Sequence, residues 1–361
     1  MASPSTADRA AVIGTGLIGG SIGLALRARG WHVTGHDADP DRAAQALAAG
    51  AIDAVGFDPD AQVTFVATPV DAVAKEVAAV LGQVGLRADA VVTDVAGVKG
   101  PVVASVGDPR FVGGHPMAGS EQVGLDGADG ELFVGATWVL TPTATTDPGS
   151  YARLQAVVVS LGAEVVALSP EQHDALVAVV SHVPHLTAAT LMNLADRKAE
   201  KHAALLRLAA GGFRDMTRIA AGQPGIWPDV CADNAPAIVE AFDVLLADLS
   251  AMRDRVANGD RAGLLDVLEH AATARRSLPS RAVRPERLSE IRVPVPDRPG
   301  VLSEITTLAG DLGVNIADLE IAHSAEGDRG VLVLVVDADG SERLVEALHG
   351  RAYRATARNL Q

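Results

Sequence analysis

The sequence is poor in several residue classes, and each shortage excludes a class of protein. Its 361 residues include one cysteine, Cys231, so no internal disulfide can form and a reducing compartment is expected. Aromatic residues make up 3% and hydrophobic residues 48%, which favours close-packed α/β layers over an aromatic-rich β-sandwich. Basic residues number 30 against 45 acidic ones, and a surface with a net charge of −15 repels phosphate backbones. No nucleic-acid partner is therefore expected.

Long hydrophobic segments are also missing. No apolar run approaches the length of a membrane span, and residues 1–9 lack the apolar core of a signal peptide. The sequence therefore predicts a cytoplasmic protein with no membrane partner. A chain of this length is expected to form two or three domains. Its pattern changes predict an α/β domain at 1–167, a helical domain at 168–283 and a small α/β domain at 288–361.

A glycine-rich motif at residues 14–19 directly follows a short apolar run. Gly14 allows a tight turn, Gly16 lets backbone N–H groups approach a pyrophosphate, and Gly19 permits close packing of helix on strand. Asp37 ends the next predicted strand, where its carboxylate can bind a ribose hydroxyl and repels a 2′-phosphate. NAD is therefore expected rather than NADP. The predicted contacts are Gly14, Gly16, Leu17, Ile18, Gly19 and Asp37.

The alternation of strands and helices continues to about residue 167, which predicts a doubly wound, Rossmann-type parallel sheet. Loops after parallel strands gather at the crevice where ligands bind, so Thr68 and Pro69 are expected beside the nicotinamide. Asp94 ends a later strand and is also expected at the cofactor. Lys99 follows it. Its ammonium group either approaches the substrate or is an exposed lysine at a helix start.

One stretch, residues 111–121, offers an acid–base group. His115 follows two glycines at the end of a predicted strand, and its imidazole is the side chain whose pKa lies nearest neutrality. Ser120 and Glu121 supply a hydroxyl and a carboxylate within one turn. The stretch predicts either a general base at the ligand crevice or a histidine that caps a turn.

The helical region contains a pair of histidines. His182 and His185 are three residues apart and are expected on one helix face, where Pro184 should kink the axis. A polar pocket and two satisfied core histidines are both open interpretations. No third ligand at useful spacing is visible, so no metal site is predicted.

A pair of arginines follows a Gly-Gly break. Arg214 and Arg218 are four residues apart and are expected on one helix face, as a carboxylate clamp or as surface residues in salt bridges. Trp227 is expected to form a wall for a ring. Further on, apolar residues recur at spacings of 4, 3, 4 and 3, which predicts a core seam or a dimer face. This seam consists of Ile238, Phe242, Leu245, Leu249 and Met252.

The last segment alternates as βαββαβ, which predicts a ferredoxin-like domain. Asp297-Arg298-Pro299-Gly300 forms a turn between its first strand and first helix. No catalytic group is evident in this segment. Such a module suits either ligand sensing between paired copies or plain dimerisation.

Taken together, these motifs resemble the prephenate/arogenate dehydrogenases of the TyrA family that carry a C-terminal ACT domain. The resemblance runs from about residue 10 to 356, through Gly-Gly-His-Pro-Met-Ala-Gly-Ser-Glu, Ser-His-Val-Pro-His and Phe-Arg-Asp-Met-Thr-Arg-Ile-Ala. It implies a Rossmann domain, a helical dimerisation domain and an ACT domain that binds an aromatic amino acid. It also implies a homodimer that uses NAD to oxidise and decarboxylate prephenate.

By the same resemblance, His115 is the catalytic histidine and Arg218 binds a substrate carboxylate, while Glu121, His185 and Trp227 line the pocket. One position departs from the family pattern, because Gly97 stands where a serine that holds the histidine is common. Water or a neighbour such as Ser120 would then supply the hydrogen bond that the serine makes in the family, or the protein prefers a different substrate. Arogenate or an amino-substituted prephenate is the first alternative substrate. A β-hydroxyacid dehydrogenase and a non-catalytic NAD-binding regulator are the others.

Overall fold

The computed structural model describes residues 7–119, 122, 124–199, 205–278, 288–296, 298–323 and 329–359. These residues group into two compact units. One contains the chain up to Lys198 together with Thr217–Ala251, and the other contains Ala199–Met216 and the chain from Met252 onward. The domain boundaries predicted at 167 and 283 remain predictions.

The first unit is built on an eight-stranded sheet with strand order β3-β2-β1-β4-β5-β6-β7-β8. Neighbouring strands are parallel except β6 and β7, which pair antiparallel. The predicted Rossmann-type sheet is confirmed, with this one reversal that the pattern did not show. The strands are β1 Arg9–Ile13, β2 His32–His36, β3 Ala54–Val55, β4 Val63–Val66, β5 Val91–Asp94, β6 Phe111–Pro116, β7 Thr137–Thr141 and β8 Glu164–Ala167.

The described α-helices that accompany the sheet are α1 Leu17–Arg27, α2 Pro40–Ala48, α3 Val70–Leu81, α4 Gly100–Ala104 and α5 Pro148–Ser160. Local chemistry sets where two of them begin. Asp39 caps α2 and Asp147 caps α5, each through a side-chain oxygen that accepts a backbone N–H. The few aromatic residues of this domain are concentrated in its core, where Phe65 and Phe133 both pack against the fully buried Trp138.

The sheet is followed by α6 Pro170–Val177, a π-helical turn Ala178–His182 and α7 Val183–Ala199. Ser169 and Gln172 form a capping box that starts α6. The predicted irregularity at Pro184 takes the form of the π turn just before it. Proline lacks the N–H that a regular helix would use at this point. Contrary to the expectation from the sequence, Pro170–Ala199 is long and apolar enough to cross a membrane, by length and composition alone, and 28% of its most apolar window is buried. One such helix is weak evidence, because helices of other kinds pass the same test.

Among its described residues, the helical region also contains α8 Gly211–Thr217, α9 Trp227–Asp233, α10 Ala235–Asn258 and α11 Arg261–Arg276. The last part of the chain is a four-stranded antiparallel sheet of order β10-β11-β9-β12 with two helices, which confirms the ferredoxin-like prediction. Ile291, Leu332 and Leu344 lie in its buried core. Its elements are β9 Leu288–Pro296, α12 Val301–Asp311, β10 Ile316–His323, β11 Arg329–Asp337, α13 Ala338–Gly350 and β12 Thr356–Asn359.

Candidate active site

The glycine-rich loop between β1 and α1 has the geometry of a dinucleotide cradle. Gly14 has φ +93°, and a Cβ there would lie 2.5 Å from the carbonyl oxygen of Ala67. A Cβ at Gly19 would overlap the carbonyl of Gly14, whereas none of the described atoms lies within 4 Å of a Cβ at Gly16. The N-cap residue Gly16 makes no side-chain cap hydrogen bond, so the N-terminus of α1 is suited to bind a pyrophosphate through backbone N–H groups.

The remaining predicted cofactor residues surround this loop. Asp37 accepts hydrogen bonds from the Thr15 backbone N–H at 2.8 Å and hydroxyl at 3.2 Å, which fixes its carboxylate beside the cradle. Leu17 and Ile18, both half-buried, form the first turn of α1. The Thr68 hydroxyl is buried without a hydrogen-bond partner in the described part of the chain. An orphaned hydroxyl next to the cradle fits a bound polar ligand such as NAD.

The structure corrects the predictions for Lys99 and Asp94. Both side chains are fully buried and pair with each other, so neither offers a charged surface to substrate or cofactor. Burial lowers the pKa of the Lys99 ammonium, while the adjacent Asp94 carboxylate acts in the opposite direction. Asp94 also accepts the backbone N–H groups of Ala96 at 3.0 Å and Gly114 at 3.1 Å. The pair therefore fixes the loop after β5 to the strand that carries His115.

We expect Lys99→Met to destabilise the protein by about 3–5 kcal/mol, because it leaves the Asp94 carboxylate buried and unpaired. Urea unfolding measures the loss. The control is Arg87→Met, which breaks the exposed pair with Asp89 and should cost about 1 kcal/mol or less. Equal losses in the two variants would contradict the buried pair.

His115 belongs to a chain of three side chains. Its Nδ1 lies 2.8 Å from Nε2 of His173, whose Nδ1 lies 2.7 Å from Oδ1 of Asp174. Asp174 also accepts the backbone N–H groups of Lys99 at 2.8 Å and Gly100 at 2.7 Å. The sequence interpretation missed His173 and Asp174, and the only local signal for them was a His-Asp pair within the first turns of α6. The partner of His115 Nδ1 is thus His173. The suggestion that water or Ser120 replaces a serine at position 97 stays a prediction, because position 97 borders Nε2 and Ser120 lies outside the described residues.

Burial, followed by the nearby His173, Lys99 and His182, holds the pKa of His115 well below its usual range. The imidazole is therefore uncharged near pH 7 and can accept a proton. A Cβ at position 97 would lie 3.8 Å from both Cε1 and Nε2 of His115. Because position 97 is glycine, no side chain from it competes for Nε2. The site thus presents a neutral imidazole at the end of β6, close to the nucleotide-binding loops.

A second group of rings adjoins His115 and its partners. His182 is buried, and its Nδ1 lies 3.2 Å from Nδ2 of Asn234, which also donates to the Asp174 carbonyl at 2.9 Å. The His185 ring stacks on Trp227 at 3.7 Å, and the His182 ring meets the same indole edge-on at 6.0 Å. Burial lowers the pKa of both histidines. The stacked rings of His185 and Trp227 form a flat surface, and its use as a wall for a bound ring stays a prediction.

Arg218 opens a 3-10 turn, Arg218–Ala221, and is exposed. The turn ends at Gly222, where a Cβ would lie 3.7 Å from Cε1 of His185, so it leads directly to the ring wall. The prediction that Arg214 shares a helix face with Arg218 is wrong, because α8 ends at Thr217. Arg214 instead donates to the Ala209 carbonyl at 3.2 Å.

Two predicted pocket residues, Ser120 and Glu121, lie outside the described residues. Pro69 is exposed at the start of α3, next to Thr68. Within the described ranges, no group of three or more His, Cys, Asp or Glu side chains is placed to hold a metal ion. The site therefore combines a nucleotide cradle, a neutral imidazole and an aromatic wall.

Comparisons with known proteins agree along the chain. Family models match residues 22–167 as "Prephenate dehydrogenase, nucleotide-binding domain", residues 169–270 as "Prephenate dehydrogenase, dimerization domain" and residues 289–352 as "ACT domain". The prephenate dehydrogenase of Bacillus subtilis (strain 168) is 33% identical over 353 residues, which covers 94% of this chain and 95% of that protein.

Two solved structures resemble this one. Prephenate dehydrogenase from Aquifex aeolicus, in complex with hydroxyphenyl propionate and NAD+, has a TM-score of 0.69 and 28% identity, covering 76% of this chain and 99% of that chain. Synechocystis arogenate dehydrogenase has a TM-score of 0.65 and 31% identity, covering 74% of this chain and 98% of that chain.

Proposed function

Because the chain belongs to the prephenate dehydrogenase family and is an NAD-dependent dehydrogenase, we propose that it converts prephenate to 4-hydroxyphenylpyruvate by oxidative decarboxylation. One observation carries this proposal, namely the uncharged imidazole of His115 at the end of β6, beside an aromatic wall that includes Trp227. The product is a precursor of tyrosine. A cytoplasmic location is part of the proposal and is supported by the single cysteine.

Prephenate carries a ring hydroxyl and, on the opposite ring carbon, a carboxylate. The glycine-rich loop at Gly14, Gly16 and Gly19 would hold NAD, whose nicotinamide would supply the hydride acceptor. His115 accepts the hydroxyl proton as the hydride leaves the ring carbon. Loss of CO2 then makes the ring aromatic, which renders the step effectively irreversible.

Two further groups bind and orient the ring. Arg218 holds a substrate carboxylate through its guanidinium, which suits a bidentate ion pair. The stacked rings of His185 and Trp227 limit the positions that a six-membered ring can occupy. Together these contacts bring the hydroxyl to His115 and so supply proximity and orientation.

Prephenate is proposed over arogenate, and a specific observation keeps arogenate as the second candidate. The chain resembles Synechocystis arogenate dehydrogenase about as closely as it resembles the Aquifex aeolicus enzyme. Gly97, which borders Nε2 of His115, also departs from the serine common in the family. The test is NADH formation with each substrate. Faster turnover of prephenate supports the proposal, faster turnover of arogenate selects the second candidate, and no turnover of either contradicts both.

Regulation and assembly are also part of the proposal. The ACT domain at residues 289–352 is proposed to bind an aromatic amino acid, so tyrosine should slow NADH formation. The dimerisation domain is proposed to form a homodimer. Exposed apolar residues on α10 support this proposal, because Val239, Val244, Leu246 and Leu249 are 52–60% exposed. Light scattering should give about twice the chain mass of 37.0 kDa.

We expect Asp37→Ser to lower kcat/KM for NAD by about tenfold or more, because the carboxylate that would bind the ribose hydroxyls is lost. Discrimination against NADP should weaken at the same time, since a repelling charge is removed. Asp39→Ser removes a neighbouring charge but keeps a capping side chain at the start of α2, so it serves as the control. Equal kinetics of the two variants with both cofactors would contradict the assignment of Asp37.

The activity should persist below the ordinary titration range of histidine. Only neutral His115 can accept a proton, and its pKa is lowered by burial and by the neighbouring His173, Lys99 and His182. As pH falls, the acid limb of kcat/KM should therefore appear below 6.5, the ordinary pKa of a histidine side chain. A limb above 6.5 would contradict a buried, neutral base.

A further inference from the structure

We propose that His173 and Asp174 are positioning residues that fix the tautomer of His115, so that its Nε2 and not its Nδ1 receives the substrate proton. The proposal rests on the proposed function and adds which atom acts as base and what holds it. It is carried by the side-chain series Asp174–His173–His115, whose two contacts measure 2.7 and 2.8 Å.

The proton positions follow from Asp174, the carboxylate at one end of the series. An ionised carboxylate only accepts hydrogen bonds, so the Nδ1 atom of His173 must carry a proton toward Asp174. A neutral imidazole has one N–H, and Nε2 of His173 is then an acceptor. The Nδ1 atom of His115, at 2.8 Å, must therefore carry its own proton and donate it to His173. The remaining nitrogen of His115, Nε2, has a free lone pair.

The alternative is a doubly protonated His173, which would reverse the direction of its bond with His115. The surroundings disfavour that charge. His173 is 0% exposed, and the Asp174 carboxylate that faces it is already engaged by two backbone N–H groups. Lys99 and Asp94 form their own buried pair nearby, and the His182 imidazole also faces the group. The Asp174 carboxylate, shared with those two N–H groups, would compensate a second fully buried cation only in part, so the neutral form of His173 is favoured before the proton transfer.

The environment of Nε2 fits its role as base. Position 97 lies against Cε1 and Nε2, and a glycine there contributes no side chain that would compete for Nε2. In the reaction, the substrate hydroxyl O–H bond breaks and an N–H bond forms at Nε2, while the Nδ1 proton stays in place. The resulting positive charge on His115 is stabilised through His173 by the Asp174 carboxylate.

The first test reads the tautomer directly. Side-chain ¹⁵N spectra of the full chain, labelled at histidine and recorded without ligands at pH 7.5, should show His115 protonated at Nδ1 and bare at Nε2. Comparison with the spectrum of the His115→Asn variant identifies the signals of His115. A proton on Nε2 of His115, or a doubly protonated His173, would overturn the proposal. This result does not depend on which substrate the enzyme uses, so it is separable from failure of the proposed function.

The second test compares two variants of His173. His173→Leu leaves the Nδ1 proton of His115 without an acceptor, and we expect kcat to fall about 10²-fold with KM for both substrates within about threefold. His173→Gln places an amide oxygen near the original Nε2 position and should restore kcat to within about tenfold of wild type. Unchanged kcat in His173→Leu, or no recovery in His173→Gln, would refute the positioning role. If neither variant folds, the spectrum of the wild-type chain decides alone.

Discussion

Replacing His115 with asparagine is expected to slow NADH formation by about 10²–10⁴-fold, the range that a positioned general base contributes. The substitution is selective. An asparagine amide reaches the position of Nδ1 and can still donate to Nε2 of His173, which lies 2.8 Å from Nδ1 in the native chain. It has no atom at the position of Nε2, so only the proposed base is removed. Initial rates at saturating NAD and substrate measure the effect.

Two controls accompany this variant. NAD affinity, measured by fluorescence titration, should stay near the wild-type value, because His115 is proposed to contact the substrate and lies on β6 rather than in the glycine-rich loop. His32→Asn makes the same change at the start of β2, away from the histidine series, and should leave turnover within about twofold. Turnover of His115→Asn equal to wild type would refute the assignment of the base.

Replacing Arg218 with alanine is expected to raise KM for the substrate roughly 30-fold or more while kcat changes little. The loss of one partner from a carboxylate–guanidinium pair costs about 2 kcal/mol or more, and the binding is lost equally in the ground and transition states. Steady-state kinetics with varied substrate separate the two constants. An effect confined to kcat would mean that Arg218 does not anchor the substrate.

Arg214→Ala provides the matched comparison. Both arginines belong to one short sequence motif, but Arg214 lies on α8 and bonds to the Ala209 carbonyl, whereas Arg218 begins the turn that reaches His185. We expect Arg214→Ala to change KM by less than about threefold. Equal effects of the two variants would restore the two-arginine clamp that the sequence predicts.

The sequence predicts the elements whose signals are local. The glycine motif requires strand, tight turn and helix within about 20 residues, and the structure has each of them, with Gly14 at positive φ. The antiparallel pairing of β6 with β7 has no such signal, because two short apolar strands look the same in either direction. Parallel neighbours need a crossover connection and antiparallel neighbours do not, and periodicity does not reveal which kind of connection follows a strand.

Contacts between distant residues are what the sequence interpretation lacked. His173 meets His115 across 58 positions, so its role cannot be read from the helical pattern that contains it. Lys99 is similar, because a lysine in a loop is usually exposed and only its pairing with Asp94 makes burial tolerable. The prediction of a common face for His182 and His185 succeeds in part. Both rings contact Trp227. His182 ends the π turn and also bonds Asn234, whereas His185 lies in the α-helix that follows.

The most direct test is a crystal structure of the chain with NAD and 4-hydroxyphenylpropionate, which carries a ring hydroxyl and a carboxylate. We predict the hydroxyl oxygen within about 3 Å of Nε2 of His115 and the carboxylate bound by the Arg218 guanidinium. The ring should lie against the stacked side chains of His185 and Trp227. A ligand whose hydroxyl is bound elsewhere, with His115 and Arg218 too far apart to share one small molecule, would contradict the account.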